Sequence, residues 1–98
     1  MVRRKIKWTF NALNDKLSIF EFWYRKNGNA KYSRQLDKEF RHLTDLLKQY
    51  VNLGKKYPDS KRRYLVKESF QIFYKIQDDY IEILHIWDTR QNPENMPL

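Results

Sequence analysis

The sequence predicts an α+β fold in which a two-helix hairpin packs on one face of an antiparallel four-stranded sheet. First, an alternating apolar segment opens the chain and two long stretches with helical spacing follow it. Second, only Asn27-Gly28-Asn29 separates these stretches, so the helices should be antiparallel neighbours. Third, three strand-like runs close the chain, and strands that follow a helical hairpin usually form a sheet covered on one side. The predicted order is strand, helix, helix, strand, strand, strand.

Composition limits the size and the partners of this fold. Ninety-eight residues, 41% of them hydrophobic, suit one domain with one core, which we take as residues 1–98. Twenty Lys and Arg residues against 12 Asp and Glu give a net charge of +8. This excess favours nucleic acid ahead of membrane as a partner, although an acidic protein would be served equally well. Without cysteine, a signal-peptide core or an apolar run of about 20 residues, we expect a cytoplasmic protein with no metal and no cofactor.

The first strand and helix are expected from Lys5 to about Lys26. Apolar residues alternate with Lys5, Lys7 and Thr9 as far as Phe10, which is typical of a half-buried strand near a sheet edge. The helical segment that follows has a main apolar stripe of Leu13, Leu17, Phe20 and Tyr24, widened by Ala12, Ile19 and Trp23. Asn11 or Asn14 would cap this helix, and Asn27-Gly28 would end it.

The second helix is expected to start after Asn29 and to close at Gly54. Its apolar stripe consists of Tyr32, Leu36, Phe40, Leu43, Leu47 and Tyr50. The opposite side is rich in charged residues and should face solvent. Lys55 to Ser60, around Pro58-Asp59, is predicted to be a loop.

The remaining strands form the predicted centre of the sheet. A short strand at Lys61–Val66 leads into a hairpin at Ser69–Pro93, whose strands flank Gln77-Asp78-Asp79. In each strand, alternate residues share one face of the sheet. The residues that share a face are Phe70, Ile72, Tyr74 and Ile76 in the first strand, and Ile81, Ile83, His85 and Trp87 in the second. Leu84 and Ile86 make the second strand apolar on both faces, as in a strand with neighbours on both sides. The N-terminal strand must join one edge, in a direction that the sequence does not fix.

The element order, the aromatic segment Phe22-Trp23-Tyr24 and the hairpin SFQIFYKIQDDYIEILHIWDTRQNP resemble the RelE/ParE family of toxins from bacterial type II toxin–antitoxin systems. The resemblance runs from Lys5 to Pro93 and implies a small basic toxin that an antitoxin holds inactive. RelE-like members cut messenger RNA in the ribosomal A site, whereas ParE-like members poison DNA gyrase and are not nucleases. Because both share one fold, the fold cannot choose between them. Our leading interpretation is a ribosome-dependent mRNA endonuclease. The alternatives are a gyrase inhibitor and, from another class, a non-toxic nucleic-acid-binding module.

The resemblance also implies where a metal-free ribonuclease would hold its cations. Such an enzyme must stabilise charge on the five-coordinate phosphorus, a task suited to arginine. RelE-like nucleases have basic residues on the strand after the loop, on the central strand and at the end of the last strand. The matching positions here are Arg62 and Arg63, Gln71, and Arg90, so we take the three arginines as candidate catalytic residues. The uncharged Gln71 departs from that pattern, as does the absence of a tyrosine from Met96-Pro97-Leu98.

The segment Lys55–Lys67 carries six basic residues and one acidic residue, a local charge of +5. It is either a solvated loop beside an apolar strand or a phosphate-binding patch, which we favour because these charges would adjoin Arg90. The predicted nucleic-acid contacts are Lys55, Lys56, Lys61, Tyr64 and Gln71. Tyr64 is equally consistent with an ordinary strand aromatic. His85, among apolar neighbours, is expected to be a hydrogen-bonded, partly buried residue rather than an acid–base catalyst.

Phe22 stands off the main apolar stripe of the first helix. It is either an antitoxin contact or a single apolar residue on an ordinary surface, and the sequence leaves both open. We expect an acidic antitoxin segment to fold as it binds along the helical hairpin, near Phe22 and Lys26, and to reach the basic patch. The expected partners are thus an antitoxin and either the ribosome with mRNA or DNA gyrase, and no membrane.

Overall fold

The computed structural model of the chain describes residues 4–58 and 61–90. The elements are β1 (Lys5–Trp8), α1 (Phe10–Asn27), α2 (Lys31–Gln49), β2 (Lys55–Lys56), β3 (Arg62–Lys67), β4 (Phe70–Ile76) and β5 (Tyr80–Asp88). The predicted α+β class, with a helical hairpin ahead of the main strands, is confirmed. The predicted loop residues Asp59-Ser60, the hairpin end at Gln91-Asn92-Pro93 and the terminal Met96-Pro97-Leu98 lie outside the described residues.

The sheet has five strands in the order β1-β5-β4-β3-β2, so the prediction of four antiparallel strands is wrong in two respects. β1 pairs with β5 in parallel, whereas every other described pair is antiparallel. Because β1 runs parallel to β5, Thr9 lies beside Ile83, and its amide and hydroxyl both donate to the carbonyl oxygen of Ile83. Helix α1 begins at the next residue. The additional strand β2 lies in the predicted loop and is too short to show an alternating pattern.

Helix α1 is rotated relative to the prediction. Leu13, Leu17 and Tyr24 from its expected main stripe are 40%, 61% and 53% exposed. Ala12 and Ile19, which were expected only to widen that stripe, are buried instead. The rotation follows from contacts at the edge of β5 beyond the end of β1, where the Asp15 carboxylate accepts hydrogen bonds from that strand. The face of α1 that carries Asp15 must therefore turn towards the sheet.

The start of α1 and the end of α2 also differ from their predicted positions. Thr9 caps α1, since its hydroxyl accepts a hydrogen bond from the Ala12 amide, and Phe10 belongs to the helix rather than to the strand. Gly28 ends α1 in the left-handed conformation, as predicted, with φ of 73°. Helix α2 ends at Gln49, before the predicted Gly54. Within the described residues, no helix is both long and apolar enough to cross a membrane.

The core lies between the helical hairpin and one face of the sheet. Its buried members include Leu36, Phe40 and Leu47 from α2, Phe70, Ile72 and Tyr74 from β4, and Ile81, Ile83 and Ile86 from β5. The Phe40 ring stacks on Phe20 and meets the edge of Phe70, with ring centroids 6.1 and 5.3 Å apart. The predicted apolar stripe of α2 is therefore confirmed as far as Leu47, as is the predicted inner face of β4 from Phe70 to Tyr74. Tyr50 was wrongly included in the stripe, because it follows the end of α2 and is 58% exposed.

A β-bulge reverses the alternation of β5 at Leu84. Phe73 pairs with His85 while the next residue, Tyr74, pairs with Ile83, so Leu84 is an extra residue on β5. After the bulge Ile86 faces the helices, and His85 shares a face with Phe73. The prediction that His85 shares a face with Ile83 is wrong for this reason. His85 is nevertheless partly buried and satisfied, because its Nδ1 lies 3.1 Å from Oδ2 of Asp15.

Candidate functional site

The predicted catalytic arginines lie at opposite ends of the sheet. Arg62 begins β3 and pairs with Lys75, near the end of β4. Arg90 follows Asp88, which pairs with Phe70 at the beginning of β4. Since a strand rises about 3.3 Å per residue, roughly 16 Å separates the two sites along the strands. The expectation that Arg62 and Arg63 adjoin Arg90 is therefore wrong; of the basic segment, only Lys67, which pairs with Phe70, lies at the same end of the strands as Arg90.

Arg90 is the counter-ion of a buried carboxylate. Its Nε and Nη2 donate to the two oxygens of Asp88 over 2.9 and 3.1 Å, and Nη2 also donates to the Tyr32 hydroxyl over 3.2 Å. Asp88 is 0% exposed and accepts a further hydrogen bond from Nε1 of Trp23. The Trp23 ring lies under the guanidinium, 4.1 Å from it. Partial burial acts to lower the pKa of Arg90, but the bonds to Asp88 and Tyr32 outweigh it and raise that pKa.

Arg63 and Tyr74 hold the loop that follows α2. The two residues are paired in register and face the helices. Arg63 Nη1 donates to the Gly54 carbonyl oxygen over 2.9 Å. The Tyr74 hydroxyl accepts from the Gly54 amide and donates to the Val51 carbonyl oxygen, each over 2.9 Å. Burial raises the pKa of Tyr74, and the bond from Gly54 and the charge of Arg63 oppose that rise without cancelling it.

Gly54 is required by the closeness of this contact. A Cβ atom at Gly54 would lie 2.7 Å from both the Tyr64 carbonyl oxygen and Cε1 of Tyr74. The chain therefore approaches the sheet here more closely than any side chain allows. Arg63 belongs to this packed junction, on the face of β3 opposite to that of its neighbour Arg62.

An aromatic cluster occupies the face of the sheet that the helices leave open. Tyr57, Tyr64 and Phe73 have ring centroids 6.0 to 6.3 Å apart. The Arg62 guanidinium lies 5.4 Å from the Tyr57 ring centre. Sequence reasoning identified Tyr64 but missed Tyr57 and Phe73. The available signal was the position of Phe73 between two polar residues, Gln71 and Lys75, on the face opposite to the predicted core.

Beside this cluster lies an open pocket of about 420 Å³ lined by Tyr57, Pro58, Tyr64 and Gln71, which we call the tyrosine pocket. Lys55 pairs in register with Tyr64 and is exposed, as is Lys61. The structure thus brings together Lys55, Arg62, Tyr64 and Gln71 from the residues proposed from sequence, while Lys61 is exposed just before β3. Lys56 pairs with Arg63 and belongs to the other face.

Phe22 and Lys26 lie on α1, away from the tyrosine pocket. Phe22 is 42% exposed, in agreement with its position off the apolar stripe. The Lys26 ammonium lies 5.9 Å from the Phe22 ring centre. Both residues line an open groove of about 570 Å³ along α1, together with Ser18, Glu21 and Arg25. This groove combines an apolar side chain with two cationic side chains, and Glu21 is already paired with Arg25.

A family model described as "ParE toxin of type II toxin-antitoxin system, parDE" matches residues 6–93. The fold is similar to a solved structure described as "Chromosomal ParDE TA system from P. aeruginosa", with a TM-score of 0.77 and 21% sequence identity. That match covers 88% of this chain and 96% of the other. Comparison with curated protein sequences gives no match.

Proposed function

Because the chain belongs to the ParE toxin family of type II toxin–antitoxin systems, we propose that it arrests growth by binding its target rather than by cutting RNA. The resemblance that the sequence shows to this family implies DNA gyrase as the target. This proposal reverses the order of preference that the sequence alone suggested.

The observation that carries this proposal is the engagement of two of the three candidate catalytic arginines in bonds within the protein. Arg90 neutralises the buried Asp88, and Arg63 donates to Gly54. A metal-free ribonuclease needs cations directed at the reacting phosphate, because charge develops there in the transition state. Gln71 stands where RelE-like nucleases have a basic residue on the central strand, and it brings no charge there. Redirecting either arginine would leave a buried carboxylate or a buried carbonyl group without its partner.

A ribosome-dependent endonuclease remains the second candidate, and one observation favours it. Arg62 and Tyr64 lie on the open face of β3, and the exposed Lys61 precedes Arg62 in the chain. In that case Arg62 would supply the positive charge at the phosphate and Gln71 a hydrogen bond.

The test compares the two activities with one protein preparation. We expect the toxin to inhibit supercoiling by purified gyrase and to accumulate gyrase-linked DNA breaks, while messages on translating ribosomes stay intact. New message ends within reading frames, produced by the wild type and not by Arg62→Ala, would refute the proposal and support the nuclease. The matched control is Arg34→Ala, which removes an exposed arginine of α2.

The antitoxin partner that the family implies is proposed to bind the groove beside Phe22. An acidic segment that folds on binding would place an apolar anchor on Phe22 and carboxylates near Lys26 and Arg25. The net charge of +8 strengthens the attraction at long range. Since Arg90 is already neutralised by Asp88, carboxylates that reach the sheet would meet Arg62, Lys55 and Lys61 instead.

A further inference from the structure

We propose that the tyrosine pocket binds one unpaired base of a single-stranded nucleic acid. This inference goes beyond the proposed function, because it concerns a ligand of the open sheet face and holds whichever protein the toxin arrests. It rests on three properties of the pocket: rigid aromatic walls, an amide at the base-reading position and flanking cations.

The aromatic walls are fixed before any ligand arrives. Tyr64 packs against Phe73, which is 1% exposed, and Tyr57 meets both rings edge-on. Pro58 closes the side of the pocket with a side chain that has almost no freedom to lose. A planar base can stack on such a surface at little ordering cost, and every base has a face that suits it. A duplex cannot use the pocket, since its bases are already stacked on their neighbours.

Gln71 supplies the polar group that distinguishes one base from another. It lies in the middle strand, β4, paired in register with Val66 on one side and Trp87 on the other, so its backbone is held firmly. Its amide carries a donor and an acceptor side by side, which match N7 and the N6 amino group of adenine. We therefore expect adenine to bind more tightly than pyrimidines.

Cations surround the pocket where the phosphates on either side of an inserted base would lie. Lys55 is the register partner of Tyr64, and Lys75 is that of Arg62. Lys61 is exposed next to Arg62. This arrangement gives a sequence-independent attraction to the backbone that weakens as salt rises. An acidic peptide would satisfy these charges but would leave the flat walls and the amide unused, which favours nucleic acid.

The experiment uses the full chain from cell-free synthesis and short oligopyrimidines, as DNA and as RNA, with a central 2-aminopurine, which can stack but lacks the N6 amino group. Unlabelled strands with a central adenine, or with thymine or uracil there, compete for binding and measure the base preference. Anisotropy measures the dissociation constant, and quenching of 2-aminopurine reports stacking. We expect quenching with the wild type. Tyr64→Leu should abolish the quenching and weaken binding roughly fivefold to a hundredfold, the effect of losing one base–aromatic stack. The dependence of the dissociation constant on salt concentration should be the same for this variant as for the wild type. The matched control is Tyr24→Leu, which removes a tyrosine that is 53% exposed on α1 and should change neither signal.

A second variant keeps the proposal testable if Tyr64→Leu unfolds, which circular dichroism would reveal. Gln71→Met keeps the size of the side chain, and should retain quenching while losing the preference for adenine over thymine or uracil. Absence of quenching with the wild type would overturn the proposal. It would also be overturned if Lys61→Ala weakened binding and both pocket variants bound like the wild type, because surface charge alone would then explain the affinity. A tighter dissociation constant for either the DNA or the RNA oligonucleotides would identify which nucleic acid is the preferred ligand. Gyrase inhibition is measured separately, so either proposal can fail alone.

Discussion

Arg90→Ala tests whether this arginine is a structural counter-ion or a group available for chemistry. If the chain is a nuclease with Arg90 among its catalytic residues, as sequence reasoning suggested, the variant should lose toxicity and keep its fold. The structure predicts a loss of stability, because the substitution leaves the fully buried Asp88 without its bidentate partner. Removing one member of a buried ion pair costs about 3–5 kcal/mol. The Arg90 side chain is 36% exposed, so water can partly replace it, and Asp88 keeps the bond from Trp23.

We therefore expect the free energy of unfolding to fall by about 2–3 kcal/mol, allowing for partial solvation of the pair. For a domain of this size, such a loss lowers Tm by roughly 10–20 °C. The assay is thermal unfolding followed by circular dichroism. Arg25→Ala is the matched control, because its ion pair with Glu21 has side chains that are 76% and 60% exposed, and its Tm should barely change.

A double-mutant cycle with Asp88→Asn sharpens the measurement. If the cost of Arg90→Ala arises from an uncompensated buried charge, then the same substitution should cost clearly less in the Asp88→Asn background. A Tm for Arg90→Ala equal to that of the wild type would refute the structural role. Loss of toxicity in such a fully stable variant would restore Arg90 as a functional residue.

Three further variants test the loop junction and the α1 groove. Tyr74→Phe leaves the Gly54 amide and the Val51 carbonyl group without their partner and should cost about 1–3 kcal/mol in denaturant unfolding; an unchanged midpoint would contradict this. Because the pKa of Tyr74 is raised above 10.0, stability should fall as pH rises above that value, and this part of the pH profile should be absent from the phenylalanine variant. Gly54→Ala forces a Cβ against Tyr64 and should destabilise by about 1–3 kcal/mol, whereas Gly28→Asn, at an open helix end, should be far milder. Phe22→Glu should weaken antitoxin binding roughly tenfold or more in calorimetry, with an unchanged circular dichroism spectrum; unchanged affinity would remove Phe22 from the interface.

The parts of the fold that sequence predicted are those set by local pattern. The stripe of α2 as far as Leu47 and the inner face of β4 were both visible, because each element presents regularly spaced apolar residues to the core. The rotation of α1 was not, since it depends on Asp15 bonding to the backbone of β5, a contact between residues distant in the chain. The parallel direction of β1 likewise depends on Thr9 meeting Ile83.

The candidate site was predicted in the same partial way. The basic segment and Tyr64 were recognisable from residue type, but their distance from Arg90 depends on strand register, which the sequence leaves undefined. Residue type also suggested that every arginine of the pattern was available to a ligand. Only the structure assigns Arg90 to Asp88 and Arg63 to Gly54, because both partners are reached through tertiary contacts.

The extra residue at Leu84 has a consequence for which single-codon deletions would inactivate such a gene. In-frame loss of the Leu84 codon would remove the bulge and leave His85, Ile86 and Asp88 paired as they already are, so β5 should tolerate it. Loss of the Ile86 codon would instead reverse the alternation beyond it, so that Trp87 turned towards the helices and the Asp88 carboxylate left its site beside Trp23 and Arg90. In cells that survive expression of the toxin without its antitoxin, we therefore expect three-nucleotide deletions at Ile86 and few at Leu84.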